Sequence, residues 1–212
     1  MTATTALTAQ NTQGVRAIHH VPPDFVAEQI HAVFDDIGVD VVKIGMLASA
    51  NTVGVVAHAL EQHGHPPIVL DPVMVATSGA LLLPKEAVAN LREKLLSAAT
   101  VLTPNISEAR LLLEDAGLSV PNITSTYDLI TMARQIQTLG PKYVLVKGGH
   151  FPLTEKGEMS TEQAHHHTVL NVLHDGEQAT IFSADYTVSR NTHGTGCSLA
   201  CRCISSRFIC FS

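Results

Sequence analysis

Polar residues follow directly after short buried runs at several places in this sequence, and their types suit phosphate and a divalent cation. The sites are Asp71-Pro72 after residues 68–70, Thr103-Pro104-Asn105 after residues 100–102, and Lys147-Gly148-Gly149 after residues 143–146. Open α/β sheets bind ligands at the carboxyl ends of their strands, so we expect these sites to share one edge. Lys147 could neutralise phosphate charge, and Asp71 with Glu108 could hold hydrated magnesium. The combination indicates phosphoryl transfer.

Each of these residues also has an ordinary structural explanation. Glu108 falls in the first turn of a predicted helix, where an acidic side chain offsets the helix dipole. Lys147 could be a solvent-facing lysine before a turn. The functional interpretation rests on the agreement between sites, because each one fits both interpretations when taken alone.

A glycine-rich segment at residues 191–198 precedes another predicted helix. Gly194, Thr195 and Gly196 would let backbone N–H groups approach an anion, and the start of the helix adds partial positive charge. Cys197 falls in the first turn, where a thiolate is favoured, so it is a candidate acid, base or nucleophile. A tight turn followed by a small buried cysteine explains the same residues, so this segment alone leaves both interpretations open.

Composition predicts one compact domain and excludes several classes of function. The 212 residues are 45% hydrophobic and carry a formal net charge of -6, which gives no general attraction to nucleic acid or to an anionic membrane. Apolar runs are too short to span a bilayer, and the first residues lack a secretory signal, so we expect a cytoplasmic protein. All four cysteines lie at or after Cys197, in a spacing unlike that of structural zinc sites.

Strand and helix patterns alternate through the middle of the chain. The predicted strands are residues 39–44, 68–70, 100–102 and 143–146, and the predicted helices are residues 52–63, 84–96, 107–116 and 127–139. This alternation predicts a doubly wound α/β sheet with helices on both faces. Residues 168–173 and 178–182 predict an antiparallel hairpin at the sheet edge, and residues 151–165 predict a flexible loop.

Taken in order, these motifs and two others resemble those of hydroxymethylpyrimidine/phosphomethylpyrimidine kinases. The matching segments are Ala9-Gln10-Asn11-Thr12, Lys43-Ile44-Gly45-Met46-Leu47, Asp71-Pro72-Val73-Met74, Thr103-Pro104-Asn105 with Glu108, Lys147-Gly148-Gly149-His150, and Asn191 to Cys197. The resemblance covers residues 1 to about 200. It implies a ribokinase-like three-layer α/β/α sandwich with a mostly parallel central sheet.

The resemblance also implies ATP, Mg²⁺ and two successive phosphorylations of 4-amino-5-hydroxymethyl-2-methylpyrimidine. By matching position, the pyrimidine pocket would contain Gln10, Met46 and Val73; the nucleotide site Lys147, Asp71 and Asn105; the metal site Glu108 and Asp71; and the anion hole Gly194, Thr195 and Gly196. Cys197 stands where the wider superfamily carries an aspartate base. We therefore expect it to accept the proton of the substrate alcohol or to position that alcohol.

Two departures from the family pattern lead to further expectations. Met1 lies only a few residues before Ala9-Gln10-Asn11, so we expect the first strand of the fold to be missing. Past Ala200 the family continues with further helices that this sequence does not resemble, so we expect those C-terminal helices to be missing as well. Residues 201–212 do not resemble the family and are expected to lie outside a domain formed by residues 1–200. The resemblance implies a homodimer for the complete protein. Two alternatives remain: a pyridoxal or pyridoxine kinase, and a catalytically silent ligand-binding fragment.

Overall fold

The computed structural model describes residues 1–11, 14–75, 82–149, 153–154, 168–187, 195–202 and 208–211. The strands are β1 Thr2–Ala3, β2 Ala6–Asn11, β3 Gly14–His20, β4 Val41–Ile44, β5 Ile68–Leu70, β6 Val101–Leu102, β7 Tyr143–Lys147, β8 Thr168–His174, β9 Ala179–Asp185 and β10 Phe208–Phe211. The helices are α1 Pro23–Asp36, α2 Ala50–Gln62, α3 Lys85–Leu91, α4 Ile106–Asp115, α5 Thr126–Gln137 and α6 Thr195–Arg202.

Eight of these strands form one sheet in the order β1-β10-β4-β5-β6-β7-β8-β9. The six strands from β1 to β7 in that order are parallel, whereas β8 runs antiparallel to β7 and β9 antiparallel to β8. The predicted parallel sheet with an antiparallel hairpin at its edge is therefore confirmed. Such a sheet brings the carboxyl ends of β4, β5, β6 and β7 to one side.

The central strands are built for burial on both faces. Every residue of β5 is buried, and Val144 and Val146 of β7 are fully buried. Helices α1 to α5 pack side by side, as expected when right-handed crossovers join parallel strands, while α6 packs against β5. The mostly parallel central sheet and its packed helices agree with the predicted α/β fold class.

One predicted helix is divided into two kinds of helix. The sequence predicted a continuous helix at residues 84–96, but α3 ends at Leu91 and continues as a π-helical segment, Arg92–Leu96. The spacing of the apolar residues does not distinguish these geometries, because Leu91, Leu95 and Leu96 are buried in both segments. Gly117, with φ of 69°, lies just after α4 and adopts the left-handed conformation that commonly ends a helix.

The tail differs from the sequence-based expectation. Residues 201–212 were expected to lie outside the fold, but α6 extends to Arg202, and Phe208–Phe211 form β10 between β1 and β4. Its register pairs Cys210 with both Thr2 and Lys43. Phe-Ile-Cys-Phe is an apolar run suited to a central strand, and its pairing satisfies backbone groups along β1 and β4 that would otherwise face an open gap.

A separate β2–β3 hairpin extends from the sheet and was not predicted. Its base is held by Gln29 of α1, whose side chain donates to the Thr4 carbonyl at 3.0 Å and accepts from the Thr4 N–H at 2.9 Å. Most of its residues are exposed. Across the described segments, no helix is both long enough and apolar enough to cross a membrane.

Candidate active site

A buried ion pair lies at the carboxyl ends of β5 and β7. Lys147 Nζ lies 2.7 Å from Asp71 Oδ1, and the Thr103 hydroxyl donates to the same oxygen at 3.2 Å. Thr103 is fully buried and Asp71 is 2% exposed, whereas the Lys147 side chain keeps 13% exposure. The predicted meeting of Asp71 and Lys147 is therefore confirmed, with the ammonium as the more accessible partner.

Backbone hydrogen bonds fix the positions of these side chains. The Thr103 N–H donates to the Leu70 carbonyl at 2.9 Å, and the Lys147 N–H donates to the Pro104 carbonyl at 2.8 Å. Each bond continues the pairing of neighbouring parallel strands beyond the point where regular pairing ends. Because these bonds tie each strand end to the next, the polar side chains are held in place by the sheet.

Asn105 and Glu108 form a reciprocal cap at the start of α4. The Asn105 side chain accepts from the Glu108 N–H at 2.9 Å, and Glu108 Oε2 accepts from the Asn105 N–H at 2.8 Å. This capping box satisfies two backbone donors that a helix start leaves unpaired. Glu108 therefore has the structural role at the helix start that its position indicated. The same cap also places its carboxyl near Lys147 and Asp71.

The charge state of Glu108 is strongly affected by its surroundings. Burial raises its pKa to about 7, and the negative charge of Asp71 acts in the same direction. The Lys147 ammonium and the N–H groups of Asn105 and Met74 oppose that rise. Near neutral pH the carboxyl therefore lies between its two protonation states, and an added cation would favour the ionised form.

The described residues offer oxygen ligands to a cation but no complete protein cage. Among them, no group of three or more His, Cys, Asp or Glu side chains could hold a metal ion. Asp71 and Glu108 are two carboxylates near one another, and hydrated magnesium takes one or two such ligands together with phosphate oxygens. The donor set therefore fits Mg²⁺ bound together with a phosphate ligand.

Gly148 allows the turn after Lys147 to pass very close to β8. A Cβ atom built on Gly148 would lie 2.1 Å from the Leu170 carbonyl oxygen, whereas one built on Gly149 would meet no atom within 4 Å. The Gly148 N–H also donates to the Asn171 side chain at 3.3 Å. A side chain at position 148 would therefore displace β8 or the segment that carries Lys147.

Met46 and Val73 follow neighbouring strands on the same side of the sheet. Both side chains are half-buried. The Met46 carbonyl accepts from the Thr5 hydroxyl at 2.7 Å, and the Val73 N–H donates to the Asp71 carbonyl at 2.8 Å. Two apolar residues thus lie beside the polar cluster, where they could form a wall for an aromatic ring.

The segment after β4 contains an unusual backbone conformation that the sequence did not reveal. Ala48 is buried and has a φ of 63°, and the Ser49 N–H donates to the Leu47 carbonyl at 2.8 Å around it. A left-handed alanine is uncommon and stores strain. It lies two residues after Met46, so the strained turn shapes this side of the site.

Gln10 is not brought to the cluster by the contacts of the described residues. It is exposed on β2, opposite Val15, in a hairpin that forms a sheet of its own. Its grouping with Met46 and Val73 stays a prediction.

The glycine-rich segment is described only in part. Gly194 lies outside the described residues, and only the backbone of Thr195, Gly196 and Cys197 is described, as the first turn of α6. Cys197 therefore has the predicted place at a helix start. Because α6 packs against β5, the strand that leads to Asp71, this helix lies next to the strand of the buried ion pair.

A second concave region lies away from the strand ends. An open groove of about 750 Å³ runs between α2 and the segment after α3. Its lining residues are Gly54, Ala57, His58, Glu61, His65, Lys94, Ser97 and Ala98. None of them belongs to the strand-end cluster, so we place the candidate active site at the cluster and not in this groove.

Thr103 and Thr5 are site residues that sequence analysis did not single out. Thr103 was part of a noted motif, but a threonine after a strand is too common to indicate a function. Thr5 has no local signal, because its contact with Met46 spans distant parts of the chain.

Comparison with known proteins places these features in a family. The family model described as "Phosphomethylpyrimidine kinase" matches residues 1–209. A putative hydroxymethylpyrimidine/phosphomethylpyrimidine kinase 2 of Schizosaccharomyces pombe is 42% identical over 200 residues, covering 94% of this chain and 36% of the relative. A hydroxymethylpyrimidine/phosphomethylpyrimidine kinase of Escherichia coli is 38% identical, covering 92% of this chain and 67% of the relative.

Solved structures give the same result. A phosphomethylpyrimidine kinase of Clostridium difficile is 32% identical with a TM-score of 0.70, over 94% of this chain and 82% of that protein. An ADP complex of Bacillus subtilis pyridoxal kinase is 29% identical with a TM-score of 0.73, over 94% and 68% respectively. The chain spans about a third of the length of the first curated relatives that it matches, at 35% to 36%.

Proposed function

Because this chain belongs to the phosphomethylpyrimidine kinase family, we propose that it phosphorylates 4-amino-5-hydroxymethyl-2-methylpyrimidine and then its monophosphate, using ATP. One observation carries the proposal: Asp71 and Lys147 at parallel strand ends and Glu108 in the first turn of α4 form a largely buried cluster of ionisable groups. Phosphoryl transfer requires mainly positioning and charge neutralisation, and this cluster supplies both.

The nucleotide phosphates would lie against Lys147 and the start of α4. The Lys147 ammonium is paired with Asp71 but partly exposed, so it can turn towards an anion without first crossing a hydrophobic layer. Asn105 is the residue before α4, so the positive end of that helix dipole lies near the same point. Both groups would stabilise negative charge on the transferred phosphoryl group.

Magnesium would be held by Glu108 and Asp71 together with phosphate oxygens. The raised pKa of Glu108 supports this assignment, because two neighbouring buried carboxyls carry a cost that a divalent cation removes. When bound, magnesium neutralises charge on the phosphates. The role of the protein residues is to hold their carboxylate oxygens at a fixed place beside Lys147.

The pyrimidine would lie between Met46, Val73 and Gln10. The two apolar side chains can pack on its ring, while an amide can donate to and accept from an aminopyrimidine edge. Because Gln10 is exposed on the β2–β3 hairpin, this role requires the hairpin to lie over the bound substrate. A hairpin in that position would shield the reacting groups from water.

The acceptor alcohol would face the start of α6. In the transfer, the bond between the γ-phosphorus and its bridging oxygen breaks, and the alcohol oxygen bonds to that phosphorus. The alcohol proton would pass to the Cys197 thiolate or be held by it, since a thiolate is favoured at a helix start. Gly194, Thr195 and Gly196 would donate backbone N–H groups to the phosphoryl oxygens.

A coupled assay of ADP release tests this function directly. Hydroxymethylpyrimidine, its monophosphate and pyridoxal are compared as acceptors, with Cys197→Ala and Lys147→Ala as variants. We expect turnover with both pyrimidines and a loss of at least about tenfold in each variant. Folded protein that turns over neither pyrimidine would contradict the proposal, and binding of a pyrimidine without turnover would favour the silent binding protein.

A pyridoxal kinase is the second candidate, favoured by the likeness to the Bacillus subtilis pyridoxal kinase. Pyridoxal also carries a hydroxymethyl group on a nitrogen-containing ring, so the same cluster could act on it. The assay separates the two functions through kcat/KM, and a higher value for pyridoxal than for both pyrimidines would select this candidate.

A further inference from the structure

We propose that Thr103 is a positioning residue that fixes the orientation of the Asp71 carboxylate and thereby the place of the Lys147 ammonium. The inference deepens the proposed function and rests on it, because Lys147 is the group assigned to the nucleotide phosphates. Thr103 itself is fully buried, so it would touch neither substrate nor metal.

The two carboxylate oxygens of Asp71 differ in their hydrogen bonding. Oδ1 accepts from Lys147 Nζ at 2.7 Å and from Thr103 Oγ1 at 3.2 Å. The hydrogen bonds of the described residues do not engage Oδ2. Two donors on one oxygen fix the rotation of the carboxylate, so its second oxygen is presented in a constant direction.

Thr103 is well placed to act as the fixed member of this group. It is fully buried, and its N–H is bonded to the Leu70 carbonyl at 2.9 Å, so its side chain projects from an anchored strand end. Lys147 has a long, flexible side chain with several rotatable bonds. The short hydroxyl therefore sets the carboxylate, and the carboxylate in turn sets the lysine.

Burial makes the threonine hydroxyl energetically important. A carboxylate that is 2% exposed has little water to replace a lost donor. Removing one partner of a hydrogen bond to a buried charged group has a larger effect than removing a neutral surface bond. Valine has nearly the same shape as threonine and lacks the donor, while serine keeps the donor and loses a methyl group.

The first test measures Lys147 and does not depend on catalysis. The rate of Lys147 acetylation by acetic anhydride is followed by mass spectrometry in the wild type, Thr103→Val, Thr103→Ala and Thr103→Ser. We expect the valine and alanine variants to react roughly three to ten times faster, because a freely rotating Asp71 holds the ammonium less well. The serine variant should stay within about twofold of the wild type.

Thr100→Val provides a matched control at the other end of the same strands. The Thr100 hydroxyl accepts from the Ile68 N–H at 3.2 Å, so this variant also loses one threonine hydrogen bond. It should lower the melting temperature by less than Thr103→Val, because the bond is neutral and less buried, and it should leave Lys147 acetylation unchanged. Equal acetylation rates in wild type and in both the valine and alanine variants at position 103 would overturn the inference.

The second test measures nucleotide affinity by calorimetry with ADP and Mg²⁺. Thr103→Val should bind about tenfold more weakly, with Thr103→Ser and Thr100→Val close to the wild type. In an Asp71→Asn background, Thr103→Val should cause no further loss, because Thr103 acts through Asp71. A full tenfold loss in that background would overturn the inference.

The two tests separate the inference from the proposed function. A wild-type protein that binds no nucleotide contradicts the proposed function, and Lys147 acetylation still decides the role of Thr103. A wild-type protein that binds nucleotide, with Thr103→Val equal to it in both affinity and acetylation, sinks the inference and leaves the proposed function standing.

Discussion

The strand-end cluster and the β2–β3 hairpin both carry candidate site residues, but they are held very differently. Asp71 and Glu108 are almost fully buried and accept hydrogen bonds from neighbouring residues, whereas Gln10 is exposed on a two-stranded sheet. Groups that neutralise phosphate must be preorganised, because they act on charge that develops during the reaction. A residue that selects the acceptor can lie on a movable element. The comparison therefore assigns phosphoryl transfer to the strand-end cluster and selection of the acceptor to the β2–β3 hairpin.

The largest expected effect concerns the close approach beside Lys147. Gly148→Ala should lower the free energy of unfolding by about 3 kcal/mol or more, because its Cβ would lie 2.1 Å from a backbone oxygen of β8. Urea denaturation measures this. Gly149→Ala is the matched control, since its Cβ would meet no atom within 4 Å. Equal urea midpoints for Gly148→Ala and Gly149→Ala would mean that the strand-end cluster can shift to accept a side chain and is less rigid than we infer.

A second prediction uses the protonation of Glu108. Its pKa is about 7 in the folded protein against an ordinary 4.5, so the folded state holds the proton more tightly than the unfolded state. The stability gained from the proton is therefore fully present below pH about 4.5 and is lost as pH rises towards 7. The difference in the free energy of unfolding between the wild type and Glu108→Gln should therefore fall by up to about 3 kcal/mol across that pH window.

Denaturant unfolding at several pH values from 4.5 to 8 measures this difference. Glutamine keeps the side-chain acceptor of the capping box, so it isolates the charge. A difference that stays constant with pH would show that the Glu108 carboxyl is better hydrated than its burial indicates.

The third prediction compares the helix caps at Asn105 and Ser125. Asn105→Ala and Ser125→Ala should each lower the free energy of unfolding by about 1 kcal/mol, because Asn105 accepts from the Glu108 N–H and the Ser125 hydroxyl donates to the Asp128 carboxylate at 2.9 Å. Only Asn105→Ala should also raise the KM for ATP. Thermal melts with steady-state kinetics measure both quantities, and a similar rise in KM for Ser125→Ala would remove the distinction between the cluster and the rest of the fold.

The smallest effect on stability is expected in the hairpin. Gln10→Ala should change the free energy of unfolding by less than about 0.5 kcal/mol, because the side chain is exposed. It should raise the KM for the pyrimidine about tenfold and leave the KM for ATP unchanged, since it would remove hydrogen bonds to the ring alone. An unchanged KM for the pyrimidine would exclude the hairpin from substrate selection.

The sequence predicted best where local pattern and burial agree. Strand β5 was placed correctly because an all-apolar run before Asp71 fits a parallel strand, and the start of α4 was placed within one residue from its apolar spacing. Ala48 could not be anticipated, since nothing in an alanine indicates a left-handed backbone. The bond from Thr103 to Asp71 joins residues 32 positions apart and depends on the register of two strands.

The place of β10 has a consequence for the time course of folding. Its register joins Phe208 to Val41 and Cys210 to Thr2, so the first strand of the sheet is linked to the rest through the last one. Contacts of such long sequence separation form slowly, because a large loop must close before they contribute. During synthesis the backbone groups of β1 and β4 that pair with β10 would stay unpaired until residue 211 leaves the ribosome. In that interval these strand edges would be open to aggregation and to chaperones that bind them.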